Sequence, residues 1–141
     1  MIFQLFLGTV IIGVTAVAAA LLWWGLETIL VRSHRWMRRP PHGPKLIAIL
    51  SLAMLFTVLM MTASVWIWAI AFWVLQAFGT FEESLYFALI VFTTLGFGDV
   101  LLPDEWRLLG GLAAANGLLS FGILTSILVE TLRETRSRQR G

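Results

Sequence analysis

The chain has 141 residues, of which 59% are hydrophobic and only 13% are charged. That composition excludes an ordinary water-soluble domain, because soluble domains carry about 25% charged residues. The lack of cysteine excludes disulfides, thiolate metal sites and cysteine nucleophiles. Since no clustered acid, base and nucleophile is found either, we expect no enzyme and no bound cofactor.

The first predicted element is an apolar segment over residues 1–31, long enough to cross a membrane. Within it, TAVAAA (residues 15–20) resembles a signal-peptide cleavage site, but no Lys or Arg precedes it and the apolar run continues beyond it. We therefore interpret the segment as a retained transmembrane helix. Its small residues predict the face that packs on other helices: Thr9, Gly13, Ala16 and Ala20.

Residues 32–45 form a basic loop without any acidic residue. Half of the chain's ten basic residues lie here: Arg32, Arg35, Arg38, Arg39 and Lys45. A second basic cluster lies in the tail, residues 132–141. Neither cluster interleaves aromatic residues on a recognisable binding element, so we expect no nucleic-acid partner. Basic residues beside apolar spans indicate a cytoplasmic location and contacts with anionic lipid headgroups.

Two further apolar segments follow, residues 46–78 and residues 108–131. The first would be about 50 Å long as a helix, more than a bilayer needs. Its tryptophans indicate either an interfacial belt or internal packing: Trp66, Trp68 and Trp73. Residues 79–107 carry five acidic residues against Arg107 alone. The charges thus predict a multi-pass protein of the plasma (inner) membrane, with the N-terminus outside and the C-terminus in the cytoplasm.

A shorter apolar run, residues 81–92, lies between these segments and is too short to cross a bilayer as a helix. We expect it to be a re-entrant or buried helix. Thr80 stands at the position of an N-cap and Glu83 at the third helical position, which together form a capping box. The carboxyl end of such a helix would point into the membrane region near Thr93.

The motif TTLGFGD, residues 93–99, follows this short run. Irregular backbone at membrane depth is tolerated where it is buried in protein or lines a water-filled path. Glycine adopts positive φ without strain, so Gly96 and Gly98 would allow successive carbonyl groups to face one side of a nearly extended strand. Four such strands around an axis would form stacked rings of oxygen atoms that can replace the hydration shell of a cation.

Residues 94–99 resemble the selectivity filter of potassium channels, TVGYGD, with Leu95 and Phe97 in place of valine and tyrosine. ESLYFALIVFTTLGFGD resembles the family's pore helix and filter, and NGLLSFGILTSILVE resembles the inner helix of the two-transmembrane bacterial channels. The resemblance covers residues 46–131. It implies an all-α membrane protein in which three transmembrane helices accompany a re-entrant pore helix and filter loop, assembled as a homotetramer.

The resemblance also implies roles for individual residues. Potassium ions would bind at Thr94, Leu95, Gly96 and Phe97, with Gly98 completing the filter, Asp99 at its mouth, and Thr93, Tyr86 and Phe87 supporting it. The inner helix would line the pore with Phe121, Thr125 and Val129, and Gly117 would be a hinge. We expect Asn116 to hydrogen-bond to a neighbouring helix, with cavity lining as the alternative. We expect Gly110 and Gly111 to be close-packing sites, with gating hinges as the alternative.

The expected function is passive, potassium-selective conduction; the alternatives are a weakly selective monovalent cation channel and a three-span structural protein with an accidental motif. The chain departs from the family at three positions. Phe97 lacks the tyrosine phenol, aromatic residues other than tryptophan stand at positions 86 and 87, and Ile90 replaces the glutamate that some bacterial relatives place near the filter aspartate. We therefore expect a filter held by apolar packing, without a brace to Asp99.

Residues 1–31 have no counterpart in the two-transmembrane pattern. They lack arginine at every third position, which excludes a voltage sensor of the usual kind. We interpret the segment as a peripheral helix that packs on the outer helix, residues 46–78, or on a neighbouring subunit; a simple membrane anchor is the alternative.

Overall fold

The computed structural model describes residues 1–32 and 42–140. It contains four α-helices and a short 3-10 helix: α1 (Ile2–Arg32), α2 (His42–Val74), α3 (Phe81–Phe92), the 3-10 helix (Asp104–Trp106) and α4 (Arg107–Arg140). Three helical stretches are long and apolar enough to cross a membrane: Ile2–Gly25, Ile47–Val74 and Asp104–Glu130. The predicted all-α membrane fold with three crossing helices is confirmed. Most of the predicted basic loop, at 33–41, lies outside the described residues.

Helix α2 ends at Val74, four residues earlier than the apolar run suggested. Gln76 adopts the left-handed conformation, with a φ of +53°. Its N–H donates to Trp73 O, and the next N–H, of Ala77, donates to Phe72 O. This pair of bonds is the Schellman motif, which usually places glycine at the left-handed position. The helix end was missed because a glutamine occupies that position.

Helix α4, in contrast, is longer than predicted. The apolar run ends near residue 131, whereas the helix continues through the charged tail to Arg140. Arginine, glutamate and glutamine are good helix formers, so a helix need not end where its apolar character does.

The core lies where α2, α3 and α4 meet. Its largest fully buried side chains include Trp68, Phe72, Phe92 and Leu109. Phe72 of α2 packs edge-on against Phe87 of α3, with ring centroids 5.3 Å apart. The remaining tryptophans of the predicted belt, Trp66 and Trp73, are half exposed and both contact Phe81. Trp68 is therefore a packing residue, whereas the other two leave part of their rings at the surface.

Helix α1 packs on the outer helix α2, which was one of the predicted arrangements, and also on α4, which was not predicted. Among the residues of α1 whose burial is described, the buried ones are Gly8, Ile11 and Thr15. The predicted small-residue face is wrong for the single chain: Thr9, Gly13, Ala16 and Ala20 are exposed. The observed face places Gly8 directly against Leu112 of α4, and a side chain at position 8 would overlap that leucine.

The amino-terminal end of α1 lies beside the start of α4. The Phe3 and Trp106 rings have centroids 6.4 Å apart, and Gln4 Nε2 donates to the carbonyl group of Glu105. Farther along α1, Trp23 contacts Phe56 of α2. The N-terminus and the segment that precedes α4 are thus at the same end of the bundle, an arrangement that the predicted topology requires.

Candidate functional site

The start of α3 is defined by Thr80. Its backbone is extended, with φ −131° and ψ 156°, and its side-chain oxygen accepts a hydrogen bond from the N–H of Glu83 at 3.2 Å. Ser84 Oγ donates to the carbonyl oxygen of Thr80 at 3.1 Å. Glu82 and Glu83 lie in the first turn, where negative charge stabilises the positive end of the helix dipole. The predicted N-cap is confirmed.

Residues 93–99, called the filter segment from here on, are tied to the carboxyl end of α3 by backbone hydrogen bonds. Thr94 N donates to Val91 O at 2.9 Å, and the N–H groups of Leu95 and Gly96 both donate to Ile90 O, at 2.9 and 3.1 Å. Each such bond contributes about 1 kcal/mol net. The short helix thereby positions the beginning of the filter segment.

Every second residue of the filter segment from position 94 has positive φ: +58° at Thr94, +53° at Gly96 and +77° at Gly98. The expectation for the two glycines is confirmed, whereas Thr94 was not foreseen. Positive φ at a β-branched residue is a rare, strained conformation that persists only where its surroundings impose it. No local signal in the sequence indicates it, because threonine normally avoids this region.

The side chains of the filter segment are exposed in the single chain. Leu95 is 58% exposed and Phe97 is 67% exposed, and Leu101 just beyond is 73% exposed. A groove of about 460 Å³ is lined by Leu101 and the two filter glycines, together with residues that include Ile90 of α3 and Gly110 of α4. Exposed apolar side chains beside a groove are typical of a surface that another molecule covers.

A side-chain hydrogen bond closes the far end of the filter segment onto α3. Tyr86 Oη donates to Asp99 Oδ2 at 2.6 Å. The expectation that no brace reaches Asp99 is therefore wrong: Ile90 cannot supply one, but a tyrosine one turn earlier does. The bond to Asp99 raises the pKa of the Tyr86 phenol above its usual value, and desolvation and the charge of Asp99 act in the same direction.

Phe87, the other predicted support, belongs to the aromatic core. Its ring lies 5.3 Å from that of Phe72 and 5.0 Å from that of Phe78, centroid to centroid. Thr93, also predicted as a support, ends α3, and its hydroxyl group donates to Leu89 O at 2.8 Å. Phe87 thus holds α3 against α2, while Thr93 closes the end of α3.

The glycines of α4 differ in what surrounds them. A side chain at Gly117 would overlap the carbonyl group of Phe92, so the backbone of α4 rests on the end of α3. Gly110 is packed against Leu102 and Phe87, as predicted for a close-packing site. Gly111 has open space around its Cα, so the same prediction is wrong for that glycine within the chain.

The residues predicted to line a pore lie on α4 at intervals of four, and hence on one face. Phe121, Thr125 and Val129 are all exposed in the single chain. The hydroxyl group of Thr125 donates to the carbonyl oxygen of Phe121 at 2.8 Å, which satisfies that hydroxyl within the helix. The face is thus accessible, with apolar and hydroxyl groups on it.

Asn116, just before Gly117, is buried and donates from Nδ2 to Thr15 Oγ1 of α1 at 2.9 Å. The predicted bond to a neighbouring helix is confirmed. The partner lies on α1, which the sequence had placed against the outer helix or a neighbouring subunit.

Comparison with known protein families identifies the family of the region that contains the filter segment. A family model described as "Ion channel" matches residues 54–134, which is more than half of the chain. The chain belongs to this family of two-transmembrane ion-channel pores. The matched region contains α3 and the filter segment together with much of α2 and α4, whereas α1 lies outside it. Neither the curated proteins nor the solved structures compared with the chain gave a match.

Proposed function

We propose that this ion channel is a potassium-selective homotetramer that conducts passively through the filter segments of four chains. The observation that carries the proposal is the positive φ at every second filter residue, Thr94, Gly96 and Gly98, in a segment tied to the end of a capped short helix. An ordinary strand would point its successive carbonyl groups to opposite sides.

Alternating φ of this kind supports a column of carbonyl oxygens on one side of the segment. Four columns around an axis would give rings at Thr94, Leu95, Gly96 and Phe97, with Gly98 above them. Such rings replace the hydration shell of a potassium ion. When several ions occupy adjacent rings, their mutual repulsion drives them through the filter. Asp99 at the mouth and the negative carboxyl ends of four α3 helices would both favour cations.

The exposed surface of the filter segment supports assembly. Leu95, Phe97 and Leu101 are more than half exposed in one chain, and Leu101 also lines the groove described above. Burying these side chains against identical neighbours in a closed ring would remove apolar surface from water and lipid headgroups. The resemblance sets the number of copies at four. In that assembly, Phe121, Thr125 and Val129 would line the path below the filter.

The proposed orientation has residues 79–107 and the N-terminus outside, with the basic loop and the C-terminus in the cytoplasm of a plasma (inner) membrane. The charge distribution supports it, since five acidic residues lie in 79–107 and most basic residues lie in the other two segments. The basic residues would contact anionic lipid headgroups.

Reconstitution tests the proposal. Purified protein in potassium-loaded liposomes, diluted into potassium-free medium, should drive uptake of a rubidium tracer, whereas sodium-loaded liposomes should drive little. Equal uptake from both would favour the weakly selective cation channel. Chemical cross-linking in mild detergent should give a four-chain species as its largest product. A monomer as the only species would contradict both the potassium-selective and the weakly selective channel.

A further inference from the structure

A cavity of about 160 Å³ lies between α1, α2 and α4, away from the filter segment. Residues of all three helices line it: Ile12, Thr15, Ala16 and Ala19 of α1, Met60, Met61 and Ser64 of α2, and Asn116, Leu119, Ser120, Ile123 and Leu124 of α4. We propose that this interhelical cavity is a binding site for a small, neutral compound with an apolar body and one hydroxyl group, such as a phenol or a short alcohol.

The size of the cavity sets the size of the ligand. An engineered apolar cavity of about 150 Å³ in another protein binds benzene. The interhelical cavity has a comparable volume, so it accommodates one ring or a chain of similar bulk. Among the described residues that line it none is ionisable, which favours a neutral ligand because a charged one would be desolvated without a partner.

The polar groups of the lining set the chemistry of the ligand. Ser64 Oγ donates to Met60 O at 3.0 Å, and Ser120 Oγ donates to Asn116 O at 2.7 Å. Thr15 Oγ1 donates to Ile12 O at 2.8 Å while it accepts from Asn116. All three hydroxyl hydrogens are therefore used, whereas the oxygens of both serines retain capacity to accept.

Asn116 supplies the complementary groups. Its amide uses one N–H on Thr15, which leaves its second N–H and its carbonyl oxygen for a ligand. A ligand hydroxyl group donates one hydrogen bond and accepts others, so it matches a wall that offers mainly acceptors and one donor. A hydrocarbon or a lipid acyl chain would fill the space but leave these polar groups unpaired in the membrane, which costs free energy.

Photolabelling of the full chain, reconstituted in liposomes, tests this site without relying on ion flux. With 4-azidophenol as the probe, we expect saturable adducts in peptides from three helices, residues 12–19, 60–64 and 116–124, and competition by phenol. Toluene, which has the same ring without a hydroxyl group, should compete much more weakly. Equal competition by toluene, or labelling that does not saturate, would overturn the proposal in favour of an acyl chain in the cavity.

Two pairs of variants locate the site. Ala19→Leu fills the cavity and should abolish the saturable adducts, whereas Ala20→Leu makes the same change on the exposed surface of α1 and should leave them.

Ser120→Ala should raise the phenol concentration for half-competition about fivefold, the effect of one lost hydrogen bond. Its control is Ser126→Ala, since Ser126 also donates to the carbonyl four residues earlier but does not line the cavity. Unchanged labelling in Ala19→Leu and unchanged competition in Ser120→Ala would refute the assignment.

Discussion

The start of the filter segment is held to α3 by backbone hydrogen bonds, whereas the contact between α1 and α4 uses a hydrogen bond between two side chains. The filter segment leaves regular structure and holds three residues at positive φ, two of them glycines. The contact between α1 and α4 keeps both helices regular and relies on the close approach at Gly8 and on the bond from Asn116 to Thr15.

A substitution therefore disturbs the two regions in different ways. A Cβ atom at Gly96 would meet no other atom within 4 Å, so a substitution there acts through backbone conformation. At Gly8 and Gly117 an added Cβ would overlap a neighbour, so a substitution acts through packing. Four substitutions test this contrast.

Gly96→Ala should abolish tracer uptake while the helices remain folded. The φ of +53° at this position costs an alanine about 1–2 kcal/mol in every chain, and we expect a loss of more than about 100-fold when four chains are affected together. The control is Gly13→Ala, because Gly13 also has open space around it but lies in the regular helix α1. Uptake by both variants at the wild-type rate would contradict the proposed filter.

Gly117→Ala should lower the free energy of unfolding, since its Cβ would overlap the Phe92 carbonyl group. Overpacking of this kind costs about 1–3 kcal/mol. Thermal unfolding in detergent measures it, with Gly111→Ala as the control in open space on the same helix. A hinge role for Gly117 predicts something else: unchanged stability with altered channel opening. That outcome would show that the contact with Phe92 is not the reason for glycine at this position.

Tyr86→Phe should destabilise the conducting form of the filter segment, because it removes the hydrogen bond from the phenol to Asp99. We expect uptake that declines with time faster than in the wild type. The raised pKa of Tyr86 means that the donating phenol persists below its ordinary pKa of about 10 and is lost as the pH rises through the raised value. Uptake by the wild type should therefore change above pH 10, whereas uptake by the Tyr86→Phe variant should not. Identical pH profiles for the two proteins would show that the bond from Tyr86 to Asp99 does not affect conduction.

Thr15→Val should lower stability by about 0.6–1.7 kcal/mol, the range for hydrogen bonds between membrane helices. Thr9→Val is the matched control, because Thr9 bonds only to Leu5 O of its own helix and is exposed. Combined with Asn116→Ala in a double-mutant cycle, Thr15→Val should give a coupling energy of similar size. Strict additivity would mean that the bond contributes nothing to the contact between α1 and α4.

The membrane-spanning segments, the short capped helix between two of them and the position of the irregular backbone could all be predicted from the sequence. Each of these depends on local signals: uncharged runs, a Thr-x-x-Glu start and two glycines one residue apart. The family resemblance depended on the same residues, and the family match agrees with it.

The contacts between helices could not be predicted from the sequence, because they join residues that are distant along the chain. The brace from Tyr86 to Asp99 joins residues thirteen positions apart, and the bond from Asn116 to Thr15 joins residues 101 positions apart. The packing face of α1 could not be predicted from its small residues, because almost every face of that helix is apolar. The face that packs is set by two contacts with α4, of Gly8 with Leu112 and of Thr15 with Asn116. Hydropathy identifies a segment that enters the membrane, but geometry between helices selects its contacts.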